Sequence, residues 1–368
     1  MYPGRKTPCP ADRRLGPRLC PISIASEFAF VRQRRQLAEV ALAREICPSR
    51  ASEPDAMTPL IDRQSICLSS RELTVVVLPE AGARIYSIRH RSLGRELLWQ
   101  NPGVPPARVP GGRSYDDNWC GGWDDVLPND EPASVLGLTL PDHGEMWSAV
   151  FDVKAQARDH VRLRAQCRTA GFDVEKAIWV EDEAIRIRYS VKNRSGRAMP
   201  FMWKLHPAVR LAPGDRIYIP ARRFRLEPVS LGSLVDAGMS GIWPLVQTPN
   251  RTVDLSCVPP PEAQELFFVY ALDLVQGACG VYRPSDRSLC VWSFPKHLFT
   301  ACMLFASYGG WQGHYVAVLE PTTAWPFRLE EAIAAGTCSL LAAGARLEAE
   351  IRFEVRQGVE YPGGPPAN

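Results

Sequence analysis

The sequence predicts an all-β fold, a large antiparallel sandwich, on three observations. From Leu73 onward, short apolar runs are separated by Gly, Pro, Asp and Asn turns. Ile185-Arg186-Ile187-Arg188-Tyr189 alternates with period two, the spacing of a strand with one face in and one face out. Helical spacing is confined to a turn or two around Arg328–Ala335, so crossover helices for a parallel sheet are missing.

In chain order the predicted strands are Leu73–Leu78, Arg84–Arg89, Val150–Val153, Val161–Cys167, Ala177–Val180 and Ala184–Val191. They continue with Phe201–Leu205, Leu266–Ala271, Leu289–Phe294, Ala301–Ser307, Tyr315–Leu319 and Ala349–Val355. No composition break follows residue 57, which favours one large sandwich over residues 58–368 rather than two small ones. Residues 1–57 read differently. Pro3, Pro8, Pro10, Pro17 and Pro21 alternate with arginines, and Phe28–Ile46 is a single helix-compatible stretch. This N-terminal extension is expected to be disordered and to stay outside the fold, with Met57 just before the first organised segment.

Charge excludes several function classes. The net charge is +3, but residues 1–57 carry ten Lys/Arg and six Asp/Glu, leaving 33 basic and 34 acidic residues in the body. A near-neutral body without a basic stripe predicts no nucleic-acid and no acidic-membrane partner. The eleven cysteines are odd in number, scattered and free of any C-x-x-C pair. That usage suits small buried hydrophobes in a reducing compartment, so a cytoplasmic location is expected. No apolar run reaches the ~18 residues of a membrane helix, and the N-terminus lacks a signal-peptide core.

Three segments concentrate aromatic, polar and glycine residues. Trp119 to Trp147 contains Gly121-Gly122-Trp123-Asp124-Asp125, Leu127-Pro128-Asn129-Asp130 and Pro141-Asp142-His143-Gly144-Glu145-Met146-Trp147. Trp203-Lys204-Leu205-His206-Pro207 is the second, and Gly309-Gly310-Trp311 through His314 to Glu320-Pro321 is the third. Aromatic rings beside carboxylates and imidazoles are what sugar recognition needs: a ring stacks on the C–H face of a pyranose while polar groups take its hydroxyls.

Glu320 ends an apolar run and precedes a proline, which fits a carboxylate leaving a core strand into a cleft and equally a strand end in solvent. His206 precedes Pro207, which predicts an extended residue at a strand end. Gly144 would let backbone approach a ligand closely. His143 and Glu145 with His206 or His314 could ligate a metal, but H-E-x-x-H and H-x-H are both absent. No G-x-S-x-G nucleophile elbow, G-x-G-x-x-G or P-loop is present.

In this order, Gly82-Ala83, Gly121-Gly122-Trp123, His143-Gly144, Trp203-Lys204-Leu205-His206-Pro207 and Leu319-Glu320-Pro321 resemble the aldose 1-epimerase (galactose mutarotase-like) superfamily, over roughly Leu73 to Val355. The resemblance implies a β-supersandwich, a cytoplasmic isomerase of carbohydrate metabolism, and a small-molecule sugar as partner of a monomer or homodimer. It implies interconversion of α and β anomers of an aldohexose with no cofactor and no metal. Glu320 takes the place of the general base, His206 of the general acid and His143 of a second, sugar-binding histidine. Trp123, Asp125, Lys204 and Arg84 complete the implied substrate-binding set, with Arg113 and Asp124 as alternatives for the arginine and the aspartate. Leu-Glu-Pro replaces the Leu-Glu-x-Gln of galactose mutarotases, which points to a divergent branch and a sugar other than galactose. Two alternatives keep the same scaffold: a non-catalytic carbohydrate-binding or sensing protein, and a polysaccharide lyase or hydrolase with a second carboxylate facing Glu320.

Overall fold

A computed structural model describes residues 65–227, 238–248 and 251–363. The expected N-terminal extension lies outside these residues.

The regular structure of the described residues is nearly all antiparallel sheet. One sheet runs, in spatial order, through Ile66–Ser69, Leu73–Leu78, Arg84–His90, Trp123–Val126, Lys204–Arg210, Tyr315–Thr322, Ala301–Tyr308, Glu265–Leu272, Arg223–Leu226 and Ser240–Ile242, with Arg95–Glu96 paired to the third strand. A second sheet runs through Arg216–Tyr218, Ala278–Arg283, Ser288–Ser293, Arg346–Gln357, Ala184–Asn193, Phe172–Glu181, His160–Cys167 and Asp152–Gln156. The two pack face to face because every long strand presents alternate apolar residues inward. From the first sheet Leu205, Val209, Leu319, Leu304 and Val269 meet Ile187, Ile351, Phe353 and Trp292 of the second in one core. The all-β sandwich expected from strand alternation is the fold observed.

Most predicted strands are found with extended ends, and the helix runs over Leu329–Ala334. Ala278–Arg283 and Ile66–Ser69 escaped the sequence reading, as did Trp123–Val126, whose Asp-Asp pair hides its β character. Two boundaries differ in a way that matters for function. Pro207 and Pro321 do not end strands: Lys204–Arg210 and Tyr315–Thr322 run through them. Their missing N–H groups instead interrupt the ladder between these strands, which pairs at Lys204↔Thr322 and resumes at Ala208↔Val318. The gap lies where the register sets His206 opposite Glu320.

Among the described residues, the cysteines are free thiols. No described helix is long and apolar enough to cross a membrane.

Candidate active site

Period-two alternation decides which residues share the outer face of the large sheet. Leu205 and Leu319 point into the core, so Lys204, His206 and Glu320 point away from it. Asp124 pairs with His206 across the neighbouring strand and shares that face, and Met303 pairs with Glu320 on the other side. Four adjacent strands thus place Asp124, His206, Glu320 and Met303 in one row. Loops cover the row: His206 is 7% exposed, Glu320 2% and Lys204 1%.

His206 and Glu320 face each other, with Nε2 and Oε1 4.0 Å apart. Each is held from behind. His206 Nδ1 lies 3.1 Å from Asp124 Oδ1 and 3.1 Å from the Tyr115 hydroxyl. Arg84 Nη2 lies 2.8 Å from Asp124 Oδ2, and the Tyr115 hydroxyl donates to the same oxygen at 2.9 Å. Burial opposes ionisation of Asp124, but Arg84 and His206 outweigh it and hold the carboxyl down at about 2. An ionised Asp124 only accepts, so Nδ1 of His206 carries a proton and Nε2 is the nitrogen where a proton can come and go.

Glu320 is held in the same manner. Lys204 Nζ donates to Glu320 Oε2 at 2.9 Å, to Asp130 Oδ2, and approaches the Met303 sulfur at 3.2 Å. Asp130 Oδ1 lies 3.3 Å from His143 Nε2, and His143 Nδ1 is 2.8 Å from Asp142 Oδ1. Tyr115 closes the circuit, its ring stacked on His143 at 3.9 Å and 5°. The polar groups therefore form a continuous ring around the two facing atoms.

Charges in the ring compensate locally. Burial disfavours charge on His143, yet Asp130 and Asp142 outweigh it and raise the imidazole to about 9. Burial pushes Asp130 up, and Lys204 and His143 more than reverse this, leaving it below the usual carboxylate range. Lys204 is raised by Asp130 and Glu320 against the burial that would neutralise it, so it stays an ammonium. Burial, then Asp124, raise Tyr115, which keeps its hydroxyl a donor. Among the described residues no group of three or more His, Cys, Asp or Glu is arranged to hold a metal ion.

No family sequence model and no curated protein sequence matches the chain. Solved structures do. The Slr1438 protein of Synechocystis sp. PCC 6803 superposes with a TM-score of 0.61 at 17% identity, over 83% of this chain and 100% of that one. A protein of Escherichia coli K12, provisionally named an aldose 1-epimerase, gives 0.60 at 17% identity, over 80% of this chain and 99% of that one. A galactose mutarotase related enzyme from Lactobacillus acidophilus gives 0.56 at 14% identity, over 81% and 99%. The chain has the galactose mutarotase-like fold.

Within this mutarotase-like sandwich, His206, Glu320, Lys204 and His143 come together as one site. Four other sequence expectations are corrected. Trp123 shows no exposed surface and packs edge-on against Trp292 of the second sheet, 5.9 Å between ring centroids. It sits opposite Pro207, one residue out of phase with the site, and so points into the core rather than at a sugar. Asp125 is out of phase for the same reason. Between the sheets it accepts from Lys176 at 2.9 Å and from the Tyr189 hydroxyl at 3.0 Å. Arg84 is buried beneath Asp124 and donates its other nitrogen to the Gly121 carbonyl at 2.5 Å, which makes it a support of the site and not a wall of it. The alternative arginine, Arg113, is exposed. Gly144, at φ +68°, brings backbone close to backbone instead of to a ligand: a Cβ there would lie 2.3 Å from the Leu127 carbonyl oxygen.

Sequence reasoning missed Tyr115, Asp130 and Asp142 as members of the site. Asp130 and Asp142 lie inside the quoted Trp119–Trp147 segment and were legible there as polar residues among aromatics. Tyr115 had no signal: it stands in a single helical turn, Tyr115–Asn118, capped by Ser114, just upstream of the Trp119–Trp147 segment.

Proposed function

We propose that the protein is a cofactor-independent aldose 1-epimerase, opening and reclosing the ring of an aldose to interconvert its α and β anomers. The observation that carries this reading is the facing pair His206 Nε2 and Glu320 Oε1, 4.0 Å apart and each held from behind by a counter-charge. In a cyclic hemiacetal the hydroxyl oxygen and the ring oxygen sit on the same carbon. An acid and a base that serve them must therefore stand side by side, as these do.

In this mechanism Glu320 Oε1 takes the proton of the C1 hydroxyl while His206 Nε2–H donates to the ring oxygen. The C1–O5 bond breaks, the aldehyde rotates about C1–C2, and the ring oxygen attacks the other face as both transfers reverse. Each group acts as acid and base in turn. Asp124, anchored by Arg84 and Tyr115, compensates positive charge on the imidazole. Lys204 occupies Glu320 Oε2, which leaves Oε1 as the working oxygen. Asp124 and Asp130 are both committed to ion pairs, which disfavours the two-carboxylate arrangement of a glycosidase.

Polarimetry on freshly dissolved α-anomers of a panel of aldoses tests the proposal. Glu320→Gln and His206→Ala should each slow anomer exchange by roughly 10²–10⁴-fold. Variants that match the wild-type rate on every sugar would overturn it, and a protein that binds sugar without changing the exchange rate would be a sensor.

A further inference from the structure

The row of side chains next to the acid/base row has no part in the mechanism above, and its chemistry is different. On the same face, Ala208 pairs with Val318, Val318 with Phe305, and Phe305 with Phe268. Leu226 pairs with Val269, so the next residue, Glu227, falls opposite Phe268, and its N–H donates to the Phe268 carbonyl. The row thus runs from beside His206 over apolar ground to two phenylalanines and ends on a carboxyl group.

Phe305, Phe268 and Trp311 are partly exposed. Trp311 and Phe268 stand nearly perpendicular to Phe305 on separate contacts, at 5.4 Å and 89° and at 5.5 Å and 80°. Trp311 belongs to the third sequence segment, of which the mechanism uses only Glu320. Glu227 is 4% exposed. Its Oε1 accepts from the Tyr270 hydroxyl at 3.3 Å, while its Oε2 is buried and has no hydrogen-bond partner among the described residues. Burying an unpaired carboxyl oxygen is costly, and a ligand hydroxyl is the kind of partner that relieves it. Burial raises this carboxyl, partly offset by Arg225 and by the Tyr270 hydroxyl.

We infer that Phe305, Phe268, Trp311 and Glu227 form a subsite for a second pyranose ring, so that the substrate is the reducing end of a disaccharide or longer oligosaccharide. This rests on the acid/base reading, because the subsite is defined by its position beside His206 and Glu320. The aromatic rings take the C–H face of the second sugar and Glu227 Oε2 takes one of its hydroxyls.

The test is calorimetric titration with glucose and with cellobiose, maltose and lactose, all of which end in glucose. At least one disaccharide should bind about tenfold more tightly than glucose, the gain expected from one stacked ring. Phe305→Ala and Glu227→Gln should each remove that margin and leave glucose affinity within about twofold. Phe305→Leu, which keeps apolar volume but loses the ring face, serves if the alanine variant does not fold. Disaccharides that bind no better than glucose overturn the subsite, as does a margin that survives both variants. So do variants that weaken glucose equally. Polarimetry of the wild type on the same sugars separates the two readings: absence of catalysed anomer exchange overturns the epimerase, while the titration still decides the subsite.

Discussion

Lys204 and Glu320 form a buried ion pair in which Nζ binds Oε2 at 2.9 Å and leaves Oε1 facing His206. The same ammonium also holds Asp130, so one cation compensates two buried carboxylates. Lys204→Met strands both of them, and breaking a buried pair from one side costs roughly 3–5 kcal/mol. Denaturant unfolding should show a loss of that size, with Lys204→Arg recovering part of it. A methionine variant as stable as wild type would mean the carboxylates find water or another partner.

In the proposed mechanism Asp124 acts through His206 and not on the sugar. Asp124→Asn keeps the shape but removes the charge opposite Nδ1, and should lower kcat by about 10²-fold with KM nearly unchanged. Tyr115→Phe retains the stacking on His143 and loses the hydroxyl, so a smaller effect is expected, with about 1 kcal/mol of stability lost. Steady-state anomer exchange at saturating sugar checks both. A rise in KM without a fall in kcat would place Asp124 in sugar binding instead.

His143 gives the site a pH dependence of known sign. Its folded value is raised from 6.5 to about 9 by Asp130 and Asp142 against the opposing effect of burial. A raised value means the protonated form is favoured by folding, so its contribution is complete below about 6.5 and is lost as pH rises through about 9. Melting temperatures of wild type and His143→Gln, compared from pH 6 to 10, should therefore converge toward the alkaline end. A gap that stays constant to pH 10 rules out this ion pairing.

Trp123 and Asp125 should behave as core residues. Trp123→Ala is expected to cost roughly 3–5 kcal/mol, while Trp123→Phe leaves KM for the sugar unchanged. Asp125→Ala leaves Lys176 as an uncompensated buried ammonium, again a matter of stability first. A substitution at either position that raised KM in a fully folded protein would return that residue to the sugar site.

Much of the fold was legible because strands announce themselves locally. Alternation and turn residues set Leu73–Leu78, Ala301–Tyr308 and their neighbours within a residue or two. The site was legible in part. His206, Glu320, Lys204 and His143 stood in segments whose aromatic and polar density fits no plain structural strand. The same density made Trp123 and Asp125 look equivalent to them, and here one-dimensional reading fails: neighbours in sequence on a strand point to opposite faces. Asp124 and Asp125 are adjacent and alike, yet one supports His206 and the other joins the two sheets.

The sequence by itself determined most of the elements, their antiparallel character and the residue types of the facing imidazole and carboxylate, since periodicity, turns and side-chain chemistry are local properties. Tertiary structure alone decided which residue of each polar pair lies on the outer face of the large sheet, because that depends on pairing register across four strands. It alone brought Tyr115 onto His143 and His206, and aligned Phe305, Phe268 and Glu227 in one row. Those contacts join residues distant along the chain, and only the assembled sheet puts them within reach.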